Sequence, residues 1–386
     1  MSLFILESEM QYIFALLVVS ISFFSQGNTQ KWDGLTESYI KHLKKSLNKK
    51  AIPGAALSIV KPNSPSIALG FGVTKLKNGQ PITENTRFRL ASISKTFAGS
   101  LASKLAAQGA FSLNDPVDKY LQGVHFTNFD ETLKIYHLLS HSSGLVPNAY
   151  DNLIESRMKY PDIVNKLTDV EPLCSPGRCY GYQNVMFSLI GNIAQQSTGL
   201  SYNDWLKKFL FKPLNMTNAS VGYNEMLVDE DYAHPHVRGR KRWYTAKLKN
   251  NYYKVEPAAG VNASASDMVQ WLKAQLGDYP NVLNNEVLSQ QVFNYTKTKK
   301  ELKRRVWRNN LKEAHYGLGW RIYDYAGETL YYHSGWVQGY RADIVVLPRL
   351  NIGFSLMLNA ETGLINELTT DFIDRVLVEY KDKDVV

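Results

Sequence analysis

The sequence is poor in cysteine, in long apolar runs and in repeats. Its 386 residues contain two cysteines, too few ligands for a metal centre when no histidine lies nearby. Outside residues 12–24, no segment approaches the roughly 20 apolar residues that a membrane-spanning helix needs. We find no convincing internal repeat, long low-complexity tract or nucleic-acid motif. We therefore expect a soluble protein with no metal ion, no other cofactor and no nucleic-acid partner.

The composition and charge describe a basic globular protein. Hydrophobic residues make up 44% of the chain and charged residues 20%, which predicts a packed core. The net charge is +9, and basic side chains cluster in residues 238–242 and 297–308, each stretch with a tryptophan nearby. These stretches suit an anionic cell-envelope surface. The alternative is that they are solvated faces with no such partner.

The N-terminus carries an apolar run, residues 12–24, which fits the apolar region of a signal peptide and is short for a transmembrane helix. Ser25 and Gly27 are small residues spaced for cleavage before Asn28. We therefore predict that residues 1–27 are a signal peptide and that the protein is periplasmic or secreted. No lysine or arginine precedes the run, so an uncleaved N-terminal membrane anchor is the alternative.

The two cysteines, Cys174 and Cys179, lie five residues apart. Export into an oxidising compartment favours a disulfide bond between them. Pro176 and Gly177 supply a turn that can bring the two sulfur atoms together. If the protein is not exported, a pair of reduced thiols is the alternative.

The order of predicted helices and strands indicates the fold class. Strand patterns occur near both ends of the chain, whereas helices and loops dominate the middle. The predicted helices are 33–49, 92–108, 135–139, 185–196, 205–210 and 364–380, and the predicted strands are 55–60, 67–73, 319–325, 329–333, 340–347 and 353–358. This order predicts an α/β (α+β) fold, with an α/β part at about residues 28–112 and 225–386 and a helical part at about 113–224.

Ser92 and Lys95 form the most informative pair, three residues apart at the start of an apolar helix. Residues three apart share a helix face, and a desolvated lysine can lose its proton and then accept one from the serine. A cation in the first turn of a helix is unfavourable, which lowers the pKa of the lysine further. The alternative for Ser92 is a helix N-cap, with Lys95 as an ordinary first-turn lysine.

Tyr182 and Asn184 stand just before a second apolar helix. A tyrosine near an amine can act as a phenolate base or proton relay. The Asn184 amide offers a donor and an acceptor for a substrate amide or carbonyl. The alternative is a loop aromatic packed on the core and a capping asparagine.

A third group, His333, Ser334 and Gly335, is predicted to end an aromatic strand just before Trp336. A glycine at this point lets the strand edge approach a substrate closely. If the edge lies beside Ser92, the backbone N–H groups of Ser92 and Trp336 can stabilise an oxyanion.

Taken in order, these segments resemble the class C β-lactamase and penicillin-binding-protein superfamily of serine hydrolases. The superfamily pattern is Ser-x-x-Lys, then Tyr-x-Asn, then Lys-Thr-Gly or a His-x-Gly variant. The matching residues are Ser92 and Lys95, Tyr182 and Asn184, and His333 and Gly335. Residues 138–145 and 258–268 are similar to two further family segments. The resemblance covers about residues 35–380 and implies a mainly antiparallel sheet flanked by helices, with an inserted helical domain.

The resemblance also implies an activity. The protein would be a serine hydrolase that forms a covalent acyl-enzyme on an ester or amide, such as a β-lactam, a D-amino-acid peptide or a carboxylic ester. Apart from the resemblance, we expect a monomer. Ser92 would be acylated, Lys95 and Tyr182 would share the general base, and Tyr182 would return the proton to the leaving group. The implied substrate-binding residues are Asn184, His333, Ser334, Gly335 and Trp336. The alternative is a catalytically silent relative that binds cell-wall peptide or a protein partner.

One residue departs from the pattern of true class C β-lactamases. They carry lysine at the position of His333, and an unperturbed histidine, with a pKa of about 6.5, is mostly neutral at pH 7. This weakens the case for a β-lactam substrate and favours an esterase or a peptidase acting on D-amino acids. Arg341 follows shortly after and is a candidate source of the missing charge.

Three further features receive no catalytic role. The resemblance places His137 and His141 in a structural loop. The Ser-Asp-Asn motif of class A β-lactamases is absent, and Ser266 with Asp267 fits a helix cap.

Overall fold

The computed structural model describes residues 33–156 and 158–380. The predicted signal peptide, residues 1–27, lies outside the described residues. Within the described part of the chain, no helix is both long and apolar enough to cross a membrane.

The centre of the fold is an antiparallel sheet of eight strands. The strands of all three sheets in the described part of the chain are numbered together. They are β1 Gly54–Val60, β2 Ile67–Gly72, β3 Phe88–Arg89, β4 Ser220–Val221, β5 His236–Arg238, β6 Trp243–Thr245, β7 Val261–Ala263, β8 Thr296–Lys297, β9 Leu311–Tyr316, β10 Arg321–Tyr325, β11 Glu328–Val337, β12 Tyr340–Leu347 and β13 Ile352–Leu358. The large sheet has the order β2-β1-β13-β12-β11-β10-β9-β8, so strands from both ends of the chain meet at the β1–β13 pair. Two small sheets, β3-β7-β4 and β5-β6, lie outside it.

Helices cover both faces of the large sheet. They are α1 Gly34–Lys49, α2 Ser94–Ala107, α3 Ile135–Leu139, α4 Asp151–Glu155, α5 Tyr160–Leu167, α6 Asn184–Thr198, α7 Tyr202–Leu206, α8 Tyr223–Met226, α9 Glu256–Ala259, α10 Ala265–Gln275, α11 Asn285–Gln291 and α12 Leu364–Tyr380. α10 packs on β1, β2 and β13 from one side, and α12 packs with α1 and against β12 and β13. Two apolar cores result, which we call the first core (α2 and α6 side) and the second core (α1 and α12 side).

β1 shows why the sheet needs two cores. All seven of its residues are buried. Ala56 and Val60 belong to the first core, whereas Leu57 and Ile59 belong to the second. Because successive side chains of a strand point to opposite faces, a continuous apolar run requires cover on both sides.

The fold class predicted from the sequence, a mainly antiparallel sheet flanked by helices, is confirmed. The boundaries predicted for the helical part stay a prediction. Asp267 is part of a helix cap, as predicted, but its partner is Ser264, and Ser266 lies inside α10. The Asp267 carboxylate accepts from the Ser264 N–H at 2.9 Å, and the Ser264 hydroxyl accepts from the Asp267 N–H at 3.2 Å.

The prediction that His333 ends its strand is wrong. β11 continues to Val337, because its pairing with β12 extends to the pair Val337 and Tyr340, which closes a hairpin with a two-residue loop. Gly339 in that loop has φ 81°, a conformation that glycine adopts readily. The third sequence motif therefore lies inside a paired strand.

The tryptophans beside the two basic stretches are core residues. Trp243 and Trp307 are both buried in the second core, so neither is placed to stack on an external polymer. Arg304, within the second stretch, bonds inward to Glu301 and to Asn366. Other basic side chains, including Lys241 and Arg305, are exposed. The predicted anionic-surface partner stays a prediction that rests on these exposed side chains alone.

Candidate active site

Ser92 lies in a 3-10 turn, Ala91–Ile93, that joins β3 to α2. Ala91 has φ 50°, an unusual conformation for a residue with a side chain. The Leu90 N–H donates to the Val261 carbonyl at 3.0 Å, which anchors the turn to β7. α2 begins at Ser94 with Ile93 in the capping position. The Ser92 hydroxyl is therefore not the N-cap of α2.

Lys95 is completely buried one helical turn from Ser92. Its Nζ lies 3.4 Å from Ser92 Oγ, 2.7 Å from Asn184 Oδ1 and 3.0 Å from the Ala258 carbonyl oxygen. Burial holds the pKa of Lys95 well below its usual value, because a charged amine is poorly stabilised away from water.

The contacts of Lys95 define what its amine can do. A neutral amine has two N–H donors and one lone pair. The two carbonyl oxygens accept the two N–H groups, so the lone pair is left for the Ser92 hydroxyl. This arrangement suits a base that removes the proton of Ser92.

Tyr182 lies over the same amine, with its ring centroid 4.7 Å from Lys95 Nζ. Burial raises the pKa of Tyr182 to about 12, against the lowering effects of Arg321 and of a hydrogen bond with Ser92. Tyr182 is therefore a protonated phenol at neutral pH. In that form it can give a proton to a leaving group, the second of its two predicted roles.

Asn184 is the first residue of α6, and both ends of its amide are bonded within the protein. Oδ1 accepts from Lys95, and Nδ2 donates to Asp151 Oδ2 at 2.8 Å. The predicted contact of Asn184 with a substrate amide stays a prediction.

His141 and His137 each accept a hydrogen bond from a backbone N–H group and so fix the nearby chain. His141 Nδ1 accepts from the Gln183 N–H at 3.1 Å, and the His141 carbonyl accepts from the Gly181 N–H at 2.8 Å. These two bonds fix the backbone on both sides of Tyr182. His137 Nδ1 accepts from the Lys134 N–H at 3.0 Å. This agrees with a structural role for both histidines.

His333 faces the first core and is completely buried. The Ser334 carbonyl oxygen, 2.9 Å from Nδ1, can only accept, so the imidazole proton is on Nδ1. Nε2 then accepts from the Tyr316 hydroxyl at 2.8 Å. Burial, together with the charge of Arg321, holds the pKa of His333 well below its usual value. The histidine is a neutral group with both ring nitrogens bonded, 6.5 Å from Tyr182 between ring centroids.

Gly335 brings β11 against the turn that carries Ser92. A Cβ atom at Gly335 would lie 2.1 Å from the Leu90 carbonyl oxygen and 3.3 Å from Ala91 Cβ. No side chain fits there, so the strand and the turn are in backbone contact. Ser334, next to it, pairs with Asp343 of β12 and lies on the opposite face of the sheet.

The N–H of Trp336 takes no part in the pairing of β11 with β12, and its predicted role in an oxyanion site stays a prediction. The pair Val337 and Tyr340 closes a two-residue hairpin and so exchanges hydrogen bonds. The next pair, Trp336 and Arg341, is then a non-hydrogen-bonded pair, which leaves the Trp336 N–H directed away from β12. The Trp336 side chain is 59% exposed, and its indole donates to Glu361 at 2.7 Å.

Arg321 places a buried positive charge near Tyr182, whereas Arg341 lies on the face of the sheet opposite to His333. Arg341 stacks on the Trp336 ring at 4.4 Å and shares the face of Asp343, opposite to that of His333. The buried guanidinium of Arg321 lies 5.7 Å from the ring centroid of Tyr182 and forms an ion pair with Glu301, with 3.4 Å between Nε and Oε1. Its charge partly offsets the rise that burial causes in the pKa of Tyr182, and it adds to the lowering of the pKa of His333.

The predicted disulfide bond between Cys174 and Cys179 is present, with the two Cα atoms 6.4 Å apart. Its loop is hydrogen-bonded to the segment after His141: the Gly177 N–H donates to the Ser142 carbonyl at 2.7 Å, and the Leu173 N–H to the Gly144 carbonyl at 2.8 Å. The bond therefore closes the loop that leads directly into Tyr182.

A cleft of about 350 Å³ opens beside the site. Its lining includes Tyr252, which interacts with Asp151 and Tyr182, and Trp336, which follows the contact of Gly335 with the Ser92 turn. The other lining residues are Arg89, Glu155, Lys249, Asn251, Val337, Gln338 and Glu361. This volume suits a small substrate or one end of a peptide.

Sequence reasoning missed three residues of this site. Asp151, Tyr316 and Arg321 each reach it from an element that contains none of the three motifs. Nothing in the local sequence marks them as functional. The single available signal was a charged residue within a stretch predicted to be apolar, as Arg321 is in the predicted strand 319–325.

The chain belongs to the Beta-lactamase family, whose sequence model matches residues 37–376. It is similar to protein flp of Staphylococcus aureus (strain MRSA252), with 26% identity over 363 residues, 90% of this chain and 69% of that protein. It is also similar to a β-lactamase of Yersinia enterocolitica, with 25% identity over 286 residues, 72% of this chain and 67% of that protein.

Solved structures show the same fold. The octameric penicillin-binding protein homologue from Pyrococcus abyssi superimposes with a TM-score of 0.77 at 24% identity, covering 91% of this chain and 79% of that one. The penicillin binding protein from Bacillus halodurans gives 0.71 at 19% identity, covering 86% and 98%. The resemblance drawn from the motifs is therefore confirmed. The family supports serine hydrolase activity in general.

Proposed function

We propose that the protein hydrolyses an ester or amide through a covalent acyl-enzyme on Ser92. The observation that carries this proposal is the buried Lys95 amine, which is held by two carbonyl oxygens, lies 3.4 Å from Ser92 Oγ and has a pKa well below its usual value. A lysine with no role in proton transfer has no reason to be buried beside a serine without a carboxylate partner.

The reaction follows from these positions. Lys95 takes the proton of the Ser92 hydroxyl while Oγ attacks the substrate carbonyl carbon. The N–H groups of Ser92 and Trp336 stabilise the resulting oxyanion. The bond to the leaving group then breaks as Tyr182 donates its proton, which Lys95 replaces. Water attacks the Ser92 ester in the second half-reaction, releasing the acid and restoring the serine.

The neutral state of His333 affects which substrate class the site favours. It offers no positive charge to a carboxylate, which favours a carboxylic ester or a D-amino-acid peptide over a β-lactam. We therefore expect the protein to hydrolyse an ester or a D-amino-acid peptide faster than a β-lactam. Export by the N-terminal segment and a monomeric state are part of the same proposal.

Turnover of three substrates tests it: a chromogenic β-lactam, a D-alanine-terminated peptide and a p-nitrophenyl ester. We expect Ser92-dependent hydrolysis of at least one. Ser92→Ala should abolish it with an unchanged circular dichroism spectrum, and Ser289→Ala, at an exposed position on α11, should not. If folded protein turns over none of them and forms no adduct with a fluorophosphonate, the catalytic proposal fails in favour of a silent binding protein.

A further inference from the structure

Asp151 is held opposite Asn184 by its own loop. The Asn148 N–H donates to the Tyr182 carbonyl at 2.7 Å, and the Gln183 side-chain amide donates to the Val146 carbonyl. The loop before α4 is thereby fastened to the segment that carries Tyr182. Tyr150 has φ 60° immediately before Asp151, a strained turn that persists because both neighbouring segments are fixed.

The chemistry of the two partners of Asn184 is different. An ionised carboxylate can only accept hydrogen bonds, so Asp151 must face the NH2 end of the Asn184 amide. The carbonyl end must then face Lys95. An amide turned the other way would donate to the Lys95 amine and occupy the lone pair that the Ser92 proton needs.

We propose that Asp151 is a positioning residue that acts through Asn184, fixing the amide so that Lys95 keeps its lone pair for Ser92. The proposal rests on the proposed function, because it assigns a role within the same base. Asp151 itself touches neither Ser92 nor Lys95 through a hydrogen bond in the described structure.

The surroundings give this arrangement a pH dependence. The groups that act on Asp151 are the Asn184 amide and the Tyr252 hydroxyl, which bond to it, and the charges of Lys95 and Glu155. Burial raises the pKa of Asp151 to about 6. Below that pH the carboxyl gains an O–H donor and no longer selects one orientation of the amide, so the rate should fall as the pH decreases through this range.

Asp151→Asn tests the proposal, because asparagine keeps the size of the side chain and can present either a donor or an acceptor to Asn184. We expect kcat to fall about 10- to 100-fold, part of the 10²- to 10⁴-fold that a general base supplies, with KM little changed. The negative charge raises the pKa of Lys95. Its removal should therefore abolish the loss of rate that protonation of Asp151 causes near pH 6 and lower the pKa of Lys95, so that the rate falls only at lower pH.

Asp162→Asn is the matched control. It removes an exposed carboxylate from the next helix, α5, that neither lines the cleft nor bonds to Asn184, and it should leave kcat and the acid limb in place. Asp151→Glu keeps an acceptor-only group and should retain more of the rate than Asp151→Asn. Asp151→Ser replaces Asp151→Asn in the series if the latter does not fold.

Titration of active molecules with a fluorophosphonate normalises each rate, so that a loss of folded protein is not counted as a loss of kcat. A folded Asp151→Asn with the kcat and acid limb of the parent overturns the proposal, as does an equal effect of Asp162→Asn. If the parent protein itself shows no Ser92-dependent turnover, the proposed function fails instead.

Discussion

The Lys95 side and the His333 side of the site each hold a buried base whose pKa lies well below its usual value, and their environments are different. Lys95 has two carbonyl acceptors and keeps its lone pair beside Ser92. His333 has a carbonyl acceptor on Nδ1 and a hydroxyl donor on Nε2, so both of its nitrogens are occupied. Burial alone thus does not make a base. The partners decide whether the lone pair remains available, and the His333 side contributes mainly a backbone, at Gly335 and Trp336.

Removal of the Lys95 amine is the strongest way to test this contrast. Lys95→Met should lower kcat/KM for an ester by about 10²- to 10⁴-fold, the contribution of a general base. Lys104→Met is the control on the same helix, since its amine bonds to the Val282 carbonyl away from the site. A Lys95→Met protein that hydrolyses the ester within threefold of the parent rate contradicts the assignment of the base.

Substitution of Gly335 tests the backbone contribution of the His333 side. Gly335→Ala should push β11 away from the Leu90 carbonyl and displace the Trp336 N–H, with a loss of about 10²- to 10³-fold in kcat, as for removal of one oxyanion donor. Thermal unfolding of the same samples separates this loss from instability. Gly34→Ala, where nothing lies within 4 Å of the added atom, should have no effect. Unchanged kcat in Gly335→Ala would show that the N–H of Trp336 is not used.

The His333 side chain itself should matter little. His333→Gln keeps a side-chain group that can bond to the Tyr316 hydroxyl, and kcat should change by no more than a few-fold. Because the pKa of His333 lies well below its usual value, no histidine limb is expected between pH 6 and 8. Superimposable pH–rate profiles of the parent and His333→Gln proteins check this. A limb near pH 6.5 that disappears in the variant contradicts the neutral assignment.

The smallest effect on activity is expected at the disulfide bond. Replacing Cys174 and Cys179 together by serine should lower the free energy of unfolding by about 2 kcal/mol, the chain-entropy value for so short a loop. The hydrogen bonds from Gly177 and Leu173 to the segment after His141 remain, so kcat should stay within about twofold of the parent value. Denaturant unfolding with and without a reductant measures the first quantity. Equal stability of parent and variant would show that the bond adds nothing.

The sequence predicted the parts of this site that are local and missed those that depend on folding. Ser92 with Lys95 and Tyr182 with Asn184 each lie within a few residues of one another, so spacing alone brings them to the start of a helix. The contact of Asn184 with Asp151 spans 33 residues. The ion pair of Arg321 with Glu301 joins β10 to the segment between β8 and β9. Neither is visible in a linear pattern.

The fold was predictable for a related reason. Strands with apolar residues on both faces, such as β1, require helices on both sides, and the order of the elements indicated which parts of the chain supply them. The end of β11 was misplaced because His333 and Ser334 are polar, and polarity normally marks the end of a strand. Here the hydroxyl of Tyr316 and a carbonyl oxygen satisfy the imidazole, so the strand continues.

Labelling with a fluorophosphonate at pH 7, read by intact mass and peptide mapping, tests the central claim most directly. We expect one adduct, on Ser92, that forms rapidly in the parent protein and much more slowly in Lys95→Met. An adduct on another residue, or none on folded protein, would contradict the claim that Lys95 activates Ser92.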